Sequence, residues 1–215
     1  MRRPGDRNTN FLARGFTLVE MLVSLSIFAI VTGFVMAGFG AGRQSDELRL
    51  STQIVASSVR RAQSFALSGQ TSQYCRSATN PNDANKFCPG GSSQCDTGYS
   101  CVVDVPPGYG VHFTTDASGN NRSIFFADLN NDKTFQAAET IRTDSVTPGP
   151  LVVVSSLRTS STMTSLDIVM QPPRPTIYFN GSTADSVATI RLMHKQGLQW
   201  KEVTINRISG QVNAD

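Results

Sequence analysis

Residues 16–42 read FTLVEMLVSLSIFAIVTGFVMAGFGAG, a long and almost wholly apolar segment. It contains no charged residue from Met21 to Gly42. A helix of about 20 apolar residues is long enough to cross a bilayer, so the sequence predicts a membrane-spanning and assembly helix over residues 16–42. Two alternatives stay open: a buried helix of a soluble protein, and a cleaved secretory signal with small residues at 37–41 as its cleavage zone.

The residues on either side of this stretch set its orientation. Four arginines precede it, at Arg2, Arg3, Arg7 and Arg14. Basic flanks stay in the cytoplasm, so we expect the chain after Arg43 on the outer face of the membrane. After residue 15 the chain has as many acidic as basic residues, so its pI of 8.8 is a property of residues 1–15. The charge is therefore weak evidence for a nucleic-acid partner, and we expect none.

Glu20 is the exception within the apolar stretch. An ionised, unpaired carboxylate at the centre of a membrane-spanning helix costs about 3 kcal/mol on the insertion scale. We therefore expect a cation or a proton to neutralise Glu20, which makes it a candidate functional residue.

The run GFTLVEMLVSLSIFAIV, which begins at Gly15, resembles the class III leader junction of type IV pilins and type II secretion pseudopilins. The resemblance implies that residues 1–15 are a leader, which a prepilin peptidase removes after Gly15 before it methylates the new amino terminus at Phe16. It also implies that Glu20 pairs with the terminal amine of a neighbouring subunit. The implied partners are other pilins or pseudopilins, the inner-membrane assembly platform and the lipid bilayer, and the implied location is the bacterial inner membrane with a periplasmic domain.

A second, amphipathic segment follows over residues 43–69. Apolar residues recur there at mostly three- and four-residue steps, at Leu48, Val55, Val59, Ala62 and Ala66. This spacing predicts a helical stalk that buries one face. The pair Ser68-Gly69 supplies a stop signal, so one continuous helix from about Phe16 to Leu67 is expected.

Residues 70–215 are predicted to form an exoplasmic β domain stapled by disulfides. Its polar first part contains all four cysteines, at Cys75, Cys88, Cys95 and Cys101. An oxidising exterior favours disulfides over a four-cysteine zinc site, which would lack its usual paired knuckles. Of three connectivities we prefer Cys75–Cys101 with Cys88–Cys95, because a Pro-Gly-Gly turn at 89–91 suits the short inner loop.

Short apolar or alternating runs separated by turn residues follow Cys101, as expected for an antiparallel β domain. The runs are Val102–Val105, Tyr109–Phe113, Ser123–Ala127, Thr140–Arg142, Leu151–Val154, Leu166–Met170, Thr176–Phe179, Val187–Met193 and Trp200–Ile205. With the long amino-terminal helix they predict an α+β fold, a pilin-type stalk packed on an antiparallel sheet.

This layout resembles the H-type pseudopilin and FimT-like minor pilin (GspH/FimT) family. The similarity rests on FFADLNND at 125–132 with Glu139, and on a late hairpin, Val203–Ile208, followed by SGQV at 209–212. It implies a minor subunit that starts or caps a short periplasmic filament in a type II secretion system or a type IV pilus. A DNA-binding minor pilin of an uptake pilus is the alternative. Gln211 stands where that family often has arginine, which weakens the DNA interpretation.

One loop fits a calcium site. It places oxygen ligands at positions 1, 3, 5, 7 and 12 of an EF-hand-like pattern, at Asp128, Asn130, Asp132, Thr134 and Glu139. Lys133 replaces the glycine of the sharp turn, and an Asx-rich turn without an ion is the simpler interpretation. No cofactor is expected to be required, and structural calcium is the one candidate.

The last hairpin has a mild basic bias. Its candidate DNA contacts are Arg191, Lys195, Lys201 and Arg207, with Trp200 able to stack a base. The sequence holds no nucleophile elbow, phosphate loop or dinucleotide fingerprint, and His112 and His194 lie in no catalytic motif. We therefore expect a protein that is not an enzyme.

Overall fold

The structure is a computed structural model. It describes residues 16–80, 83–115, 122–146, 150–173, 176–197 and 199–215, with the backbone alone at 37–41. The predicted leader, residues 1–15 with Gly15, lies outside the described residues. The chain divides after Gly42 into two compact units.

The described residues form one long helix followed by strands. Helix α1 spans Leu18–Ser68. The strands are β1 (Ser72–Ser77), β2 (Ala84–Phe87), β3 (Tyr99–Asp104), β4 (Gly108–Thr114), β5 (Arg122–Asp128), β6 (Thr140–Ser145), β7 (Val152–Arg158), β8 (Thr162–Met163), β9 (Ser165–Gln171), β10 (Thr176–Phe179), β11 (Val187–His194), β12 (Trp200–Asn206) and β13 (Val212–Ala214). Short 3₁₀ helices lie at Ser92–Gln94 and Ala137–Glu139.

Helix α1 ends where the sequence predicts. Gly69 has a φ of 59°, the left-handed conformation that glycine adopts at little cost. The Gln70 N–H donates to the Phe65 carbonyl at 3.3 Å, which satisfies one of the last free carbonyls of the helix. This pattern is a Schellman stop, and it turns the chain from α1 into β1.

The second half of α1 packs on the sheets through the predicted face. Leu48, Val55, Val59, Ala62 and Ala66 are all buried. They belong to one core cluster with residues of β4, β9, β11 and β12, among them Tyr109, Ile168, Leu192 and Val203. The α+β class and the amphipathic stalk are therefore confirmed.

The strands form three antiparallel sheets among the described residues. A three-stranded sheet has the order β2-β1-β3, and two five-stranded sheets have the orders β10-β9-β4-β5-β6 and β13-β12-β11-β7-β8. All nine predicted strand runs lie on or overlap strands, but β1, β2, β8 and β13 were not predicted. These four strands are short or polar and lack the alternation of apolar residues that marks the others.

The predicted disulfide pairing is wrong. The structure joins Cys75 to Cys95 and Cys88 to Cys101, with Cα–Cα distances of 5.5 and 6.1 Å. Cys75 and Cys101 are instead directly opposite each other in the β1–β3 ladder. Each of the two bonds instead to a cysteine of the segment that connects β2 to β3, Cys95 for Cys75 and Cys88 for Cys101. No described cysteine is free, so the sulfurs are not zinc ligands here.

Candidate functional site

The first part of α1 has an exposed apolar surface. Leu18–Met36 has a mean hydropathy of 2.2, and none of it is buried. Phe16, Phe28 and Phe34 are at least 70% exposed. By length and composition this helix is able to cross a membrane, a property that it shares with signal sequences. Burial of such side chains is worth about 1.5–3 kcal/mol each, so an apolar environment would stabilise this segment.

Glu20 takes part in the start of the helix. The Thr17 carbonyl accepts the first helical bond from the Met21 N–H at 3.2 Å, so Thr17 is the N-cap. The Glu20 N–H donates to the Thr17 hydroxyl at 3.2 Å, and the Thr17 N–H donates to Glu20 Oε2 at 3.4 Å. These reciprocal bonds are a capping box. This role of Glu20 was not predicted, although the Thr-x-x-Glu pattern at 17–20 is the usual sequence signal of a capping box.

The cap leaves part of the carboxylate available. Glu20 Oε2 accepts two long bonds from Thr17, both at 3.4 Å. Glu20 Oε1 has no hydrogen-bond partner among the described residues. A carboxylate held at the first turn of the helix therefore keeps one oxygen free for a cation, such as an amine beside the start of the helix.

The hydroxyl groups of the apolar segment are satisfied within the helix. Ser24, Ser26 and Thr32 each donate to the carbonyl four residues earlier, at 2.8 Å. Such bonds remove the cost of placing a free hydroxyl in an apolar environment. Glu20 is therefore the group of this segment that still needs a partner.

The predicted calcium loop is held by its own backbone. Glu139 is buried, and its two carboxylate oxygens accept the N–H groups of Leu129 at 2.9 Å and Gln136 at 3.2 Å. Asp128 is also buried and accepts the N–H groups of Asp132 and Lys133, both at 3.1 Å. These bonds close the loop as an Asx-rich turn with a capping box.

The remaining predicted ligands bond to one another. Asp132 accepts bonds from Thr134, from Asn130 at 3.0 Å and from Gln136. Among the described residues, the three-residue groups of metal-binding side chains whose ligand atoms lie within 4.8 Å comprise only cysteines. The carboxylates of Asp128, Asp132 and Glu139 are therefore not gathered around one point, and calcium binding stays a prediction.

Burial changes the acidity of this loop. Desolvation raises the pKa of Asp128 to about 6 and that of Glu139 to about 7, against the backbone hydrogen bonds that favour the charged forms. Burial also acts to raise the pKa of Asp132, but hydrogen bonds from Thr134, Asn130 and Gln136 outweigh it and lower that pKa. The buried carboxyl groups of Asp128 and Glu139 therefore take up protons as the pH falls from neutral to about 6.

A histidine and an aspartate anchor the same loop to the sheet. Asp167 on β9 pairs with His112 Nδ1 on β4, and its second oxygen accepts the Phe135 N–H at 3.0 Å. The Phe135 ring stacks on His112 with a centroid distance of 4.4 Å. His112 and Asp167 therefore hold the loop against β4 and β9.

The four predicted DNA contacts do not act as one set. Arg191 donates to Glu202 at 2.7 Å and lies 4.5 Å over the Trp200 ring. Arg207 donates to the Asp185 carbonyl at 2.8 Å. Lys195 is exposed in the β11–β12 turn, and Lys201 lines a cleft beside α1. Glu202 therefore neutralises Arg191, and Lys195, Lys201 and Arg207 each lie in different surroundings.

His194 is buried rather than available for ligands. Its Nε2 lies 3.4 Å from Glu47 Oε2, and its Nδ1 accepts the Gln196 N–H at 3.3 Å. This contact ties the β11–β12 turn to the second half of α1.

Comparison with known proteins identifies one feature. Residues 11–36 match the family model of the prokaryotic N-terminal methylation motif. No curated protein and no solved structure matches the chain. The motif supports a type IV pilin-like precursor, processed by a prepilin peptidase and assembled with other pilins. The matched region includes Phe16, Thr17 and Glu20.

Proposed function

We propose that this chain is a minor pilin or pseudopilin of the GspH/FimT type, which assembles through its amino-terminal helix into a periplasmic filament or its tip. The observation that supports this most strongly is the methylation motif at residues 11–36, which coincides with an unburied apolar helix. The filament belongs to a type II secretion system or a type IV pilus. The protein acts as a structural subunit and not as an enzyme.

Processing prepares the assembly site. Hydrolysis of the Gly15–Phe16 peptide bond frees the Phe16 amine, and methylation of that amine leaves it positively charged. Glu20 lies four residues further on, about 6 Å along a helix axis. A neighbouring subunit shifted by about that distance brings its amine to the level of Glu20. Opposite charges in an apolar environment then satisfy each other, where neither is stable alone.

The capping geometry suits this role. Thr17 holds the Glu20 carboxylate at the first turn through two bonds of 3.4 Å, and Oε1 keeps its capacity to accept. A neighbour's amine is therefore able to bind without breaking the cap. Assembly also replaces the exposure of Leu18–Met36 by contact with the apolar helices of other subunits.

The proposed location is the bacterial inner membrane, with the amino terminus in the cytoplasm and residues 70–215 in the periplasm. Four arginines before the apolar helix support this orientation. Two disulfides support an oxidising compartment for the sheets. Before assembly the bilayer covers the apolar segment.

Substitutions at Glu20 test the assembly step separately from processing. We expect Glu20→Gln to be cleaved and methylated as the wild type is, but to be lost from the sheared filament fraction and from cross-links to other pilins. Glu20→Asp keeps the charge and should retain part of the incorporation. Ser24→Ala, one turn further on, is the matched control and should assemble normally.

Normal filament incorporation of Glu20→Gln would contradict the proposed charge pair. Loss of processing in Glu20→Gln, with no leader cleavage by the peptidase, would show that Glu20 acts in peptidase recognition instead. Uptake of labelled DNA that depends on this chain and on Arg191, Lys195, Lys201 and Arg207 would favour the DNA-binding alternative.

A further inference from the structure

A polar cleft lies between the second half of α1 and the last strand. Its volume is 730 Å³, within the range of about 300–1,000 Å³ that is typical of ligand sites. One wall is a single face of the helix, and the other is formed by β12, β13 and Asp215. The lining residues are Arg49, Thr52, Gln53, Ala56, Arg60, Lys201, Thr204, Val212, Asn213, Ala214 and Asp215.

The strand wall of the cleft is an open sheet edge. Strand β13 is the last strand of its sheet and pairs only with β12 among the described strands. The hydrogen-bonded pairs of this ladder include Asn206 with Gln211 and Asp215 with Glu202. Because such pairs alternate along an antiparallel ladder, the backbone groups of Val212 and Ala214 point away from β12. These groups face the side on which α1 lies.

A contact from the helix confirms the direction of this edge. Arg60 on α1 donates to the Val212 carbonyl at 3.0 Å, across the cleft. Ala214 is two residues further along the same strand, so its N–H and carbonyl share this direction. No described residue donates to the Ala214 carbonyl or accepts from its N–H. The cleft therefore offers an unused pair of backbone groups.

The cleft also has an excess of positive charge. Arg49, Arg60 and Lys201 line it, and none of the three forms a salt bridge with a described residue. The neighbouring cations differ, because Arg61 pairs with Asp144 at 3.0 Å and Arg191 pairs with Glu202. Asp215 is the acidic side chain in the lining. Unpaired cations around an open strand edge are suited to a ligand that has both a peptide backbone and carboxylates.

We propose that this cleft binds an extended, acidic segment of a partner protein, which adds as a strand to the open edge of β13. The segment pairs with Ala214 through its backbone, and its carboxylates meet Arg49 and Lys201. A nucleic acid suits the cleft less well, since it has no backbone amide to pair with the strand, and none of the described residues that line the cleft is aromatic and able to stack a base. The inference rests on this geometry and not on the processing of the amino terminus.

The test uses the full chain in detergent micelles and a fluorescent peptide in which glutamate and valine alternate. We expect the peptide to bind, with an affinity that falls as salt is added. Arg49→Gln and Lys201→Gln should each weaken binding about tenfold, the effect of losing one charge-assisted hydrogen bond. Arg158→Gln, on the exposed side of β7, is the matched control and should bind as the wild type does.

A second pair of variants tests strand addition itself. Ala214→Pro removes the N–H that points away from β12 and so leaves the β12–β13 bonds in place. We expect it to abolish peptide binding, whereas Ala214→Val keeps the N–H and should bind normally. Hydrogen exchange with single-residue resolution should show slower exchange of the Ala214 amide when the peptide is bound.

Three results would overturn the proposal. Peptide binding that survives Ala214→Pro would show attraction by charge alone. Binding of a single-stranded oligothymidine that is lost in Arg49→Gln and Lys201→Gln, without binding of the peptide, would assign the cleft to phosphate. A third result is no binding of the peptide at about 1 mM, while Trp200 fluorescence shows a folded chain. It would mean that the cations only protect the sheet edge from pairing with other strands.

Discussion

The two units of this chain obtain their stability from different sources. Residues 18–36 are mostly apolar and unburied among the described residues, so an apolar environment of lipid or of other subunits would stabilise them. The unit after Gly42 buries Leu48, Val59 and Ala66 against its own sheets. Both parts belong to one helix, yet only the second follows the amphipathic pattern of a globular protein. The arrangement of apolar residues around the helix, and not their number, therefore separates an assembly segment from a folding segment.

The same substitution in the two parts should affect different properties, folding stability in one and membrane retention in the other. We expect Val59→Asp to destabilise the sheets by about 4 kcal/mol or more, because it buries an unpaired charge at a fully buried position. Val31→Asp lies on the exposed apolar segment and should leave that stability unchanged while it reduces membrane retention. Urea unfolding in detergent, followed by the fluorescence of Trp200, measures the first effect. Equal loss of stability in both variants would contradict the comparison.

Disulfide removal should act on the second unit alone. We expect loss of the Cys75–Cys95 bond, in the double variant with alanine at both positions, to cost about 2–4 kcal/mol of unfolding free energy. Leader processing and membrane retention should not change. Non-reducing peptide mapping of the wild type should recover Cys75 joined to Cys95 and Cys88 joined to Cys101. Recovery of Cys75 joined to Cys101 would restore the pairing preferred from the sequence.

The second unit should also lose stability as the pH rises. Burial raises the folded-state pKa values of Asp128 and Glu139 to about 6 and about 7, above their ordinary values of 3.8 and 4.5. The folded state therefore binds more protons than the unfolded state from about pH 4 to about pH 7, and stability falls as the pH rises through that window. Between pH 6 and pH 8 we expect a loss of about 2 kcal/mol.

A substitution assigns this pH dependence to the loop. Glu139→Gln removes the group with the higher pKa and should flatten most of the slope between pH 6 and pH 8. Glu202→Gln, on the surface beside Arg191, is the control and should keep the slope. A wild-type stability that rises over this interval would show that burial does not set the charge of the loop.

Calcium should have the smallest effect on the second unit. If the pattern from Asp128 to Glu139 binds calcium with millimolar affinity, saturation at ten times the dissociation constant adds about 1.4 kcal/mol of stability. Calorimetry and thermal unfolding of the full chain with added calcium measure this, with Asp132→Asn as the variant that should lose the response. No heat and no shift of the unfolding temperature at millimolar calcium would end the calcium prediction.

Sequence patterns predicted the parts of this fold that local chemistry decides. The spacing of Leu48, Val55 and Val59 gave the buried face of α1, and Gly69 gave its end. Strands with alternating apolar residues were also predictable, since alternation directly reports a buried face. The edge strand β13 was not, because its position depends on pairing with β12 and on Arg60, which is 152 residues from Val212.

The functional features were also predictable only where they depend on residues close together in the sequence. Glu20 was predictable because it is a charged residue in an apolar segment. Its cap with Thr17 was also predictable, from the Thr-x-x-Glu spacing. The disulfide partners were not predictable, since they depend on the register that opposes Cys75 to Cys101. The basic cleft was also not predictable from the sequence, because its cations lie on α1 and β12 and come together only in the folded chain.

Pilin-type processing is tested by the intact mass and amino-terminal sequence of the protein isolated from membranes, with and without the prepilin peptidase. We expect a chain that begins at methylated Phe16 and occurs only when the peptidase is present. A chain that begins near Arg43, or that retains Met1 in both strains, would contradict it.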